Sequence, residues 1–150
     1  MQHLVLTLLG TLRLSDFGGH RTAGMFDNRA VFRHYFGVDL FAGSLNVDVP
    51  RPPSLQMDLD AGVPPPAFVI PRAELINMPP YIGDGQAWEC NLKGDKFPVP
   101  IQCWVFRRKG SRVPAGVIEI VAEKPLREPY CLQHADSVSI ELFSPAAASS

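Results

Sequence analysis

Leu40-Phe41-Ala42-Gly43-Ser44-Leu45-Asn46-Val47-Asp48-Val49 reads as a tight turn that runs directly into a β-strand. Gly43 supplies the permissive backbone for the turn. Leu45, Val47 and Val49 then alternate with Ser44, Asn46 and Asp48. With a side-chain period of two, the apolar residues fall on one face and the polar residues on the other. A hydroxyl and an amide oxygen two residues apart, beside a glycine turn, can act as two neutral oxygen ligands. Mg²⁺ accepts such ligands when phosphates and waters complete its octahedron. The plainer reading is a half-buried strand with a polar outer face.

Working outward, most of the chain has strand character. Leu4 to Leu14 reads as a first strand. Gly85 to Leu92 and Phe97 to Phe106 flank the hairpin turn Lys93-Gly94-Asp95-Lys96, and Gly116 to Ala122 and Ser137 to Phe143 follow. One helix is expected, capped by Asp27 or Asn28 and ended by Gly37. Val31, Phe32, Tyr35 and Phe36 recur at helical spacing, so Phe32 and Phe36 should pack on the sheet while Arg29, Arg33 and His34 face water. Short strands separated by turn signals, with one helix, make the chain mainly β and predict a small β-barrel over 1–143. The tail Ser144 to Ser150 is small and polar and is expected to be disordered.

The chain has 15 prolines, which cluster between Pro50 and Pro80. Proline lacks an amide donor and blocks helix interiors and central strands. The 50–80 region should therefore leave the core and carry only short pieces of structure. Pro64-Pro65-Pro66 reads as loop, since no flanking repeat supports a polyproline ligand. Arg107-Arg108-Lys109-Gly110-Ser111-Arg112 is the one basic run. It fits either a phosphate clamp or a solvated turn between strands.

A length of 150 residues suits one domain with a real core. Hydrophobic content of 46% and charged content of 19% are globular values. A net charge of -1 gives no general attraction to nucleic acid or to an anionic membrane, so neither is an expected partner. Phosphate recognition would have to be local. Cys90, Cys103 and Cys131 show no C-x-x-C and no zinc spacing, and are read as reduced thiols of a cytoplasmic protein, Cys90 and Cys103 in the core. The apolar N-terminus lacks the features of a signal peptide, and no stretch is long enough to span a membrane. The four histidines are scattered and form no nucleophile motif.

The 40–49 segment resembles the P-G-T-L-N-V signature of the archaeal CTP-dependent riboflavin kinases. A second block, Val117-Ile118-Glu119-Ile120-Val121-Ala122-Glu123-Lys124-Pro125-Leu126-Arg127-Glu128, is similar to that family's I-E-I-I-A-P-x-x-L-R-E run. Leu132 to Glu141 stands where the family has L-x-D-G-D-x-V-x-I-E. The likeness spans roughly Gly10 to Leu142 and is weak between Pro50 and Tyr81. It implies a compact six-stranded barrel of the cradle-loop type. It also implies transfer of the terminal phosphate of CTP, or of another nucleoside triphosphate, to riboflavin or another small hydroxylated acceptor, with Mg²⁺.

The same resemblance makes Ser44 and Asn46 the Mg²⁺ ligands, Ser44 keeping the hydroxyl of the family's threonine. Ala42 replaces the family's proline. The loop Gly18-Gly19-His20-Arg21-Thr22-Ala23-Gly24 corresponds loosely to a glycine-rich phosphate loop, which would make Gly18, Gly19, Arg21, Thr22, Ala23 and Gly24 nucleotide-binding. By itself that loop is also an ordinary hairpin connection, and it is neither a Walker A loop nor a Rossmann fingerprint. Glu128 would lie near the open end of the barrel and take the acceptor's proton, or else form an exposed ion pair with Arg127 or Lys124. Glu119, on an alternating strand, has the same two readings. Ser111 to Gly116 does not reproduce the family's threonine-histidine-aromatic loop. That departure keeps open a non-catalytic nucleotide- or flavin-binding protein on the same barrel, and a kinase with a different acceptor.

Overall fold

The computed structural model describes residues 2–14, 27–41, 44–50 and 57–145. Its strands are β1 (Gln2–Arg13), β2 (Leu45–Asp48), β3 (Phe68–Ile70), β4 (Gly85–Lys93), β5 (Ile101–Arg108), β6 (Val117–Val121) and β7 (Ser137–Pro145), with a helix α1 (Arg29–Phe36) between β1 and β2. The antiparallel order β4-β5-β6-β2-β1-β7 closes on itself, because the second half of β4 pairs with β7 from Cys90↔Leu142 to Lys93↔Ser139. The result is a ring of six strands, as the resemblance implied. β3 is a seventh, short strand paired to the first half of β4 at Phe68↔Ala87.

Strand parity decides what fills the ring. Leu8, Leu12, Leu45, Val47, Trp88, Cys90, Leu92, Cys103, Val105, Ile118, Ile120, Val138, Ile140 and Leu142 alternate along their strands and meet in one buried cluster. Cys90 and Cys103 belong to it as free thiols, cross-strand partners with sulfurs 3.4 Å apart. Gly10 lets β1 approach β2: a Cβ there would sit 2.4 Å from the Asp48 carbonyl oxygen.

The helix covers the outer face of the sheet. Phe32 and Phe36 are buried against Ile70, Ala87, Phe106 and Val121. Their rings meet neighbours edge to face, Phe36 with Phe68 at 4.8 Å and with Trp104 at 5.2 Å. Gly37 ends the helix at φ 77°, in the left-handed conformation glycine adopts without strain, and its N–H donates to the Arg33 carbonyl. At the other end the expected cap is replaced by a different contact. Asn28 is almost fully buried, and its amide donates to the Ile76 carbonyl at 2.9 Å and accepts from the Ile76 N–H at 2.8 Å. A buried amide needs both groups paired, and one backbone residue does this while tying the helix to the segment after β3.

Two boundaries differ from the sequence reading. β5 begins at Ile101 rather than Phe97, because Pro98 and Pro100 have no N–H for the ladder. Phe97 is instead buried in the turn, against Tyr130. Ser144 and Pro145 are not tail: they complete β7, and the buried Ser144 hydroxyl donates to the Pro65 carbonyl at 2.7 Å. Residues 146–150 lie outside the described residues.

The 50–80 region also departs from expectation. Its described part, 57–80, carries short pieces, a bridge Asp58↔Val63, β3 and a 3-10 turn at Arg72–Glu74. Yet that part does not leave the core. Met57 and Leu59 join the interior cluster and close one end of the ring. The inward-facing donors of that end find acceptors here: Trp88 Nε1 on the Pro64 carbonyl at 2.7 Å, Gln86 Nε2 on the Leu59 carbonyl at 2.9 Å, and Arg107 Nε on Asp60 Oδ1 at 2.9 Å. Proline-rich backbone suits the task, since it offers carbonyls without adding buried N–H groups.

Candidate functional site

β2 carries the candidate site, and its neighbours follow from register. Asn46 lies opposite Arg13 of β1 on one side and opposite Glu119 of β6 on the other. Directly opposed residues of antiparallel strands project to the same face. Arg13, Asn46 and Glu119 therefore form one row on the outer surface of the ring, while Leu12, Val47, Leu45, Ile118 and Ile120 point inward.

The row is electrostatically unusual. Asn46 Oδ1 is shielded from solvent, and among the described residues nothing donates a hydrogen bond to it. Leaving a buried amide oxygen unpaired costs about 1–3 kcal/mol, and native structures seldom tolerate it. Beside it, burial raises the pKa of Glu119 above the ordinary carboxylate range, with Arg108 and then Arg107 pulling the other way. Burial also lowers the pKa of Arg108, opposed by Glu119 and Tyr81. On the other flank Arg13 holds Asp48 with two contacts, Nε to Oδ2 at 2.9 Å and Nη2 to Oδ1 at 2.8 Å.

An unsatisfied amide oxygen, a carboxylate next to it and a half-buried serine one residue before β2 make an all-oxygen set. That chemistry suits Mg²⁺ rather than a softer metal. Among the described residues no group of three or more His, Cys, Asp or Glu could cage an ion alone. Ser44 and Asn46 would hold Mg²⁺ only with oxygens from a ligand and from water.

The other expected site residues are placed as follows. Gly18, Gly19, Arg21, Thr22, Ala23 and Gly24 lie outside the described residues, as do Ala42 and Gly43. The segment containing the six nucleotide-binding candidates joins β1 to α1, so it leaves β1 just past Arg13. Glu128 sits exposed in the connection between β6 and β7, its carbonyl accepting the Cys131 N–H at 3.0 Å. That connection starts at the same end of the ring as the turn before β2, where the Phe41 N–H donates to the Ala122 carbonyl at 2.8 Å. Glu119, not Glu128, is the carboxylate that register sets against Asn46.

The basic run divides. Arg107 and Arg108 belong to β5 and are buried, so the solvated-turn reading fails for them. Arg107 faces inward to Asp60, and Arg108 faces outward, its Nη1 reaching the Met78 sulfur at 3.5 Å. Only Lys109 onward forms the turn, where the Arg112 guanidinium lies 4.0 Å above the centre of the Tyr81 ring. Sequence reasoning left Glu119 ambiguous and passed over Arg13. The signal was parity: Glu119 is the one polar residue in Val117–Val121, and Arg13 the one charged residue in β1.

No model of a known protein family matches this chain, and no curated protein matches it. No described helix is long and apolar enough to cross a membrane.

Proposed function

We propose that this chain is a Mg²⁺-dependent phosphotransferase of the riboflavin kinase type. It would pass the terminal phosphate of a nucleoside triphosphate, CTP before others, to riboflavin or another small molecule with a primary hydroxyl. The observation that carries the reading is the unpartnered, solvent-shielded Asn46 oxygen beside Glu119. The six-stranded ring and the two resembling sequence blocks support it from a separate direction.

In this reading Ser44 and Asn46 would hold the ion, which would supply neutralising charge for the phosphates. Glu119 accepts the proton of the acceptor hydroxyl as its oxygen bonds to the terminal phosphorus. The bond from that phosphorus to the bridging oxygen breaks, and the nucleoside diphosphate leaves. A carboxylate made more basic by burial is better suited to this role than an exposed one, which favours Glu119 over Glu128 as the base. The 18–24 loop would cover the phosphates. Free thiols and the lack of a described membrane-crossing helix fit a cytoplasmic enzyme.

The test is product formation from riboflavin, Mg²⁺ and each triphosphate in turn, followed by chromatography. Phosphorylated flavin should appear first with CTP. Binding of CTP and flavin without turnover would instead support a non-catalytic binding protein, which the divergent Ser111 to Gly116 turn favours.

A further inference from the structure

Among the described residues Arg13 is the only cation on the strand beside the Asn46 position, and nothing in the proposed chemistry has used it. It ends β1 where that strand meets β2, directly opposite Asn46 and on the same face. Its side chain is 36% exposed, and its guanidinium is held by both carboxylate oxygens of Asp48, which stands opposite Thr11. That contact is diagonal across the ladder, so it leans the guanidinium along β2 and fixes its plane. One feature distinguishes this pair from the ion pairs of the helix, where Arg33 and Arg29 meet Asp39 at the surface: it stands in register beside Asn46, whose buried oxygen has no donor among the described residues.

We propose that Arg13 is a phosphate-binding residue of this site, and that Asp48 positions it. The ligand class is a polyphosphate chain carried with a divalent ion, the donor half of the proposed reaction. The inference rests on the reading of Asn46 as a ligand of that ion. Arg13 and Asn46 are directly opposed, one strand spacing of about 5 Å apart, so a phosphate carried by an ion at Asn46 would be within reach of the Arg13 side chain. A planar fork with five N–H donors can keep Asp48 on one edge and offer the other to a phosphate. A lysine offers charge without that division of labour.

The experiment is calorimetry on the full chain with two probes, CTP and inorganic tripolyphosphate, each with and without Mg²⁺. Arg13→Gln should weaken both Mg²⁺-dependent affinities by roughly tenfold or more, and Arg13→Lys by less. It should also flatten the salt dependence of binding. Asp48→Asn, which leaves the guanidinium in place but loosens its fixed plane, should weaken both affinities by clearly less than Arg13→Gln does. Equal losses from Arg13→Gln and Asp48→Asn would reduce the pair to a structural contact and overturn the proposal. So would an unchanged Arg13→Gln beside an Asn46→Ala that no longer binds, an outcome that leaves the metal site standing. The reverse pattern, loss of tripolyphosphate with Arg13→Gln but not with Asn46→Ala, would keep Arg13 and sink the metal reading. Circular dichroism melts of each variant separate lost binding from lost folding.

Discussion

Two polar regions of this barrel follow opposite rules. At the closed end, Trp88, Gln86 and Arg107 point buried donors inward, and the 57–66 strap gives each an acceptor. On the outer face of β2, Asn46 presents a buried acceptor and receives nothing from the described residues. The first region is what folding requires, since a buried donor without a partner loses its hydration for no return. The second is a cost that folding does not explain. On the proposed reading, the difference separates polar groups that hold the structure from a polar group that would serve a ligand.

The comparison breaks most easily at Trp88. Its side chain is fully buried at the centre of the interior cluster and its N–H is bonded to Pro64. Trp88→Ala should cost about 3–5 kcal/mol in denaturant melts. Phe32→Ala, which removes a ring from the helix–sheet layer, belongs in the same range. A loss below about 1 kcal/mol at Trp88 would mean the strap does not seal the ring. Gln86→Leu is a finer probe of the same end. It keeps the volume but removes the donor to Leu59, and should cost about 1–2 kcal/mol.

How much of this was legible beforehand depended on locality. β2 was readable because alternation is a local signal, and so was the helix, whose Phe32 and Phe36 spacing and Gly37 stop are contained in nine residues. The strap was misjudged because its partners lie far along the chain: Pro64 answers Trp88, and Pro65 answers Ser144. Proline content predicts only short pieces of structure, as the Asp58↔Val63 bridge and β3 are, but not whether free carbonyls point into a core. The same limit hid the site's neighbours. Asn46 was visible, but its facing residues come from β1 and β6, and only the ladder register pairs it with Arg13 and Glu119.

Glu119 tests the second region through pH. Its folded pKa is raised, so the folded state holds the proton more tightly than the unfolded chain. Stability should therefore fall as pH rises from the unfolded carboxylate value through the higher folded one, in the absence of divalent ions. Below that window Glu119→Gln and the native chain should be equally stable. Above it the glutamine variant should be the more stable, since it never has to ionise beside Asn46. Parallel urea melts across the acid range measure this. A glutamine variant that is less stable above the window would show that the Arg108 attraction outweighs the burial of the carboxylate.

Asn46 should give the smallest stability change and the sharpest contrast with Trp88. Asn46→Ala removes an oxygen that has no described partner, so no hydrogen bond to that oxygen is lost with it. The β2 backbone keeps its register with Thr11, Leu12 and Arg13 on one side and with β6 on the other, because those ladders use main-chain groups. Relief of the unpaired oxygen is offset by the packing lost with the side chain, so melting should move by no more than about 0.5 kcal/mol in either direction. Mg²⁺-dependent CTP binding, measured on the same sample, should disappear. A destabilisation of about 2 kcal/mol with binding retained would place Asn46 with Trp88 and Gln86, as a group that holds the barrel rather than one that waits for a ligand.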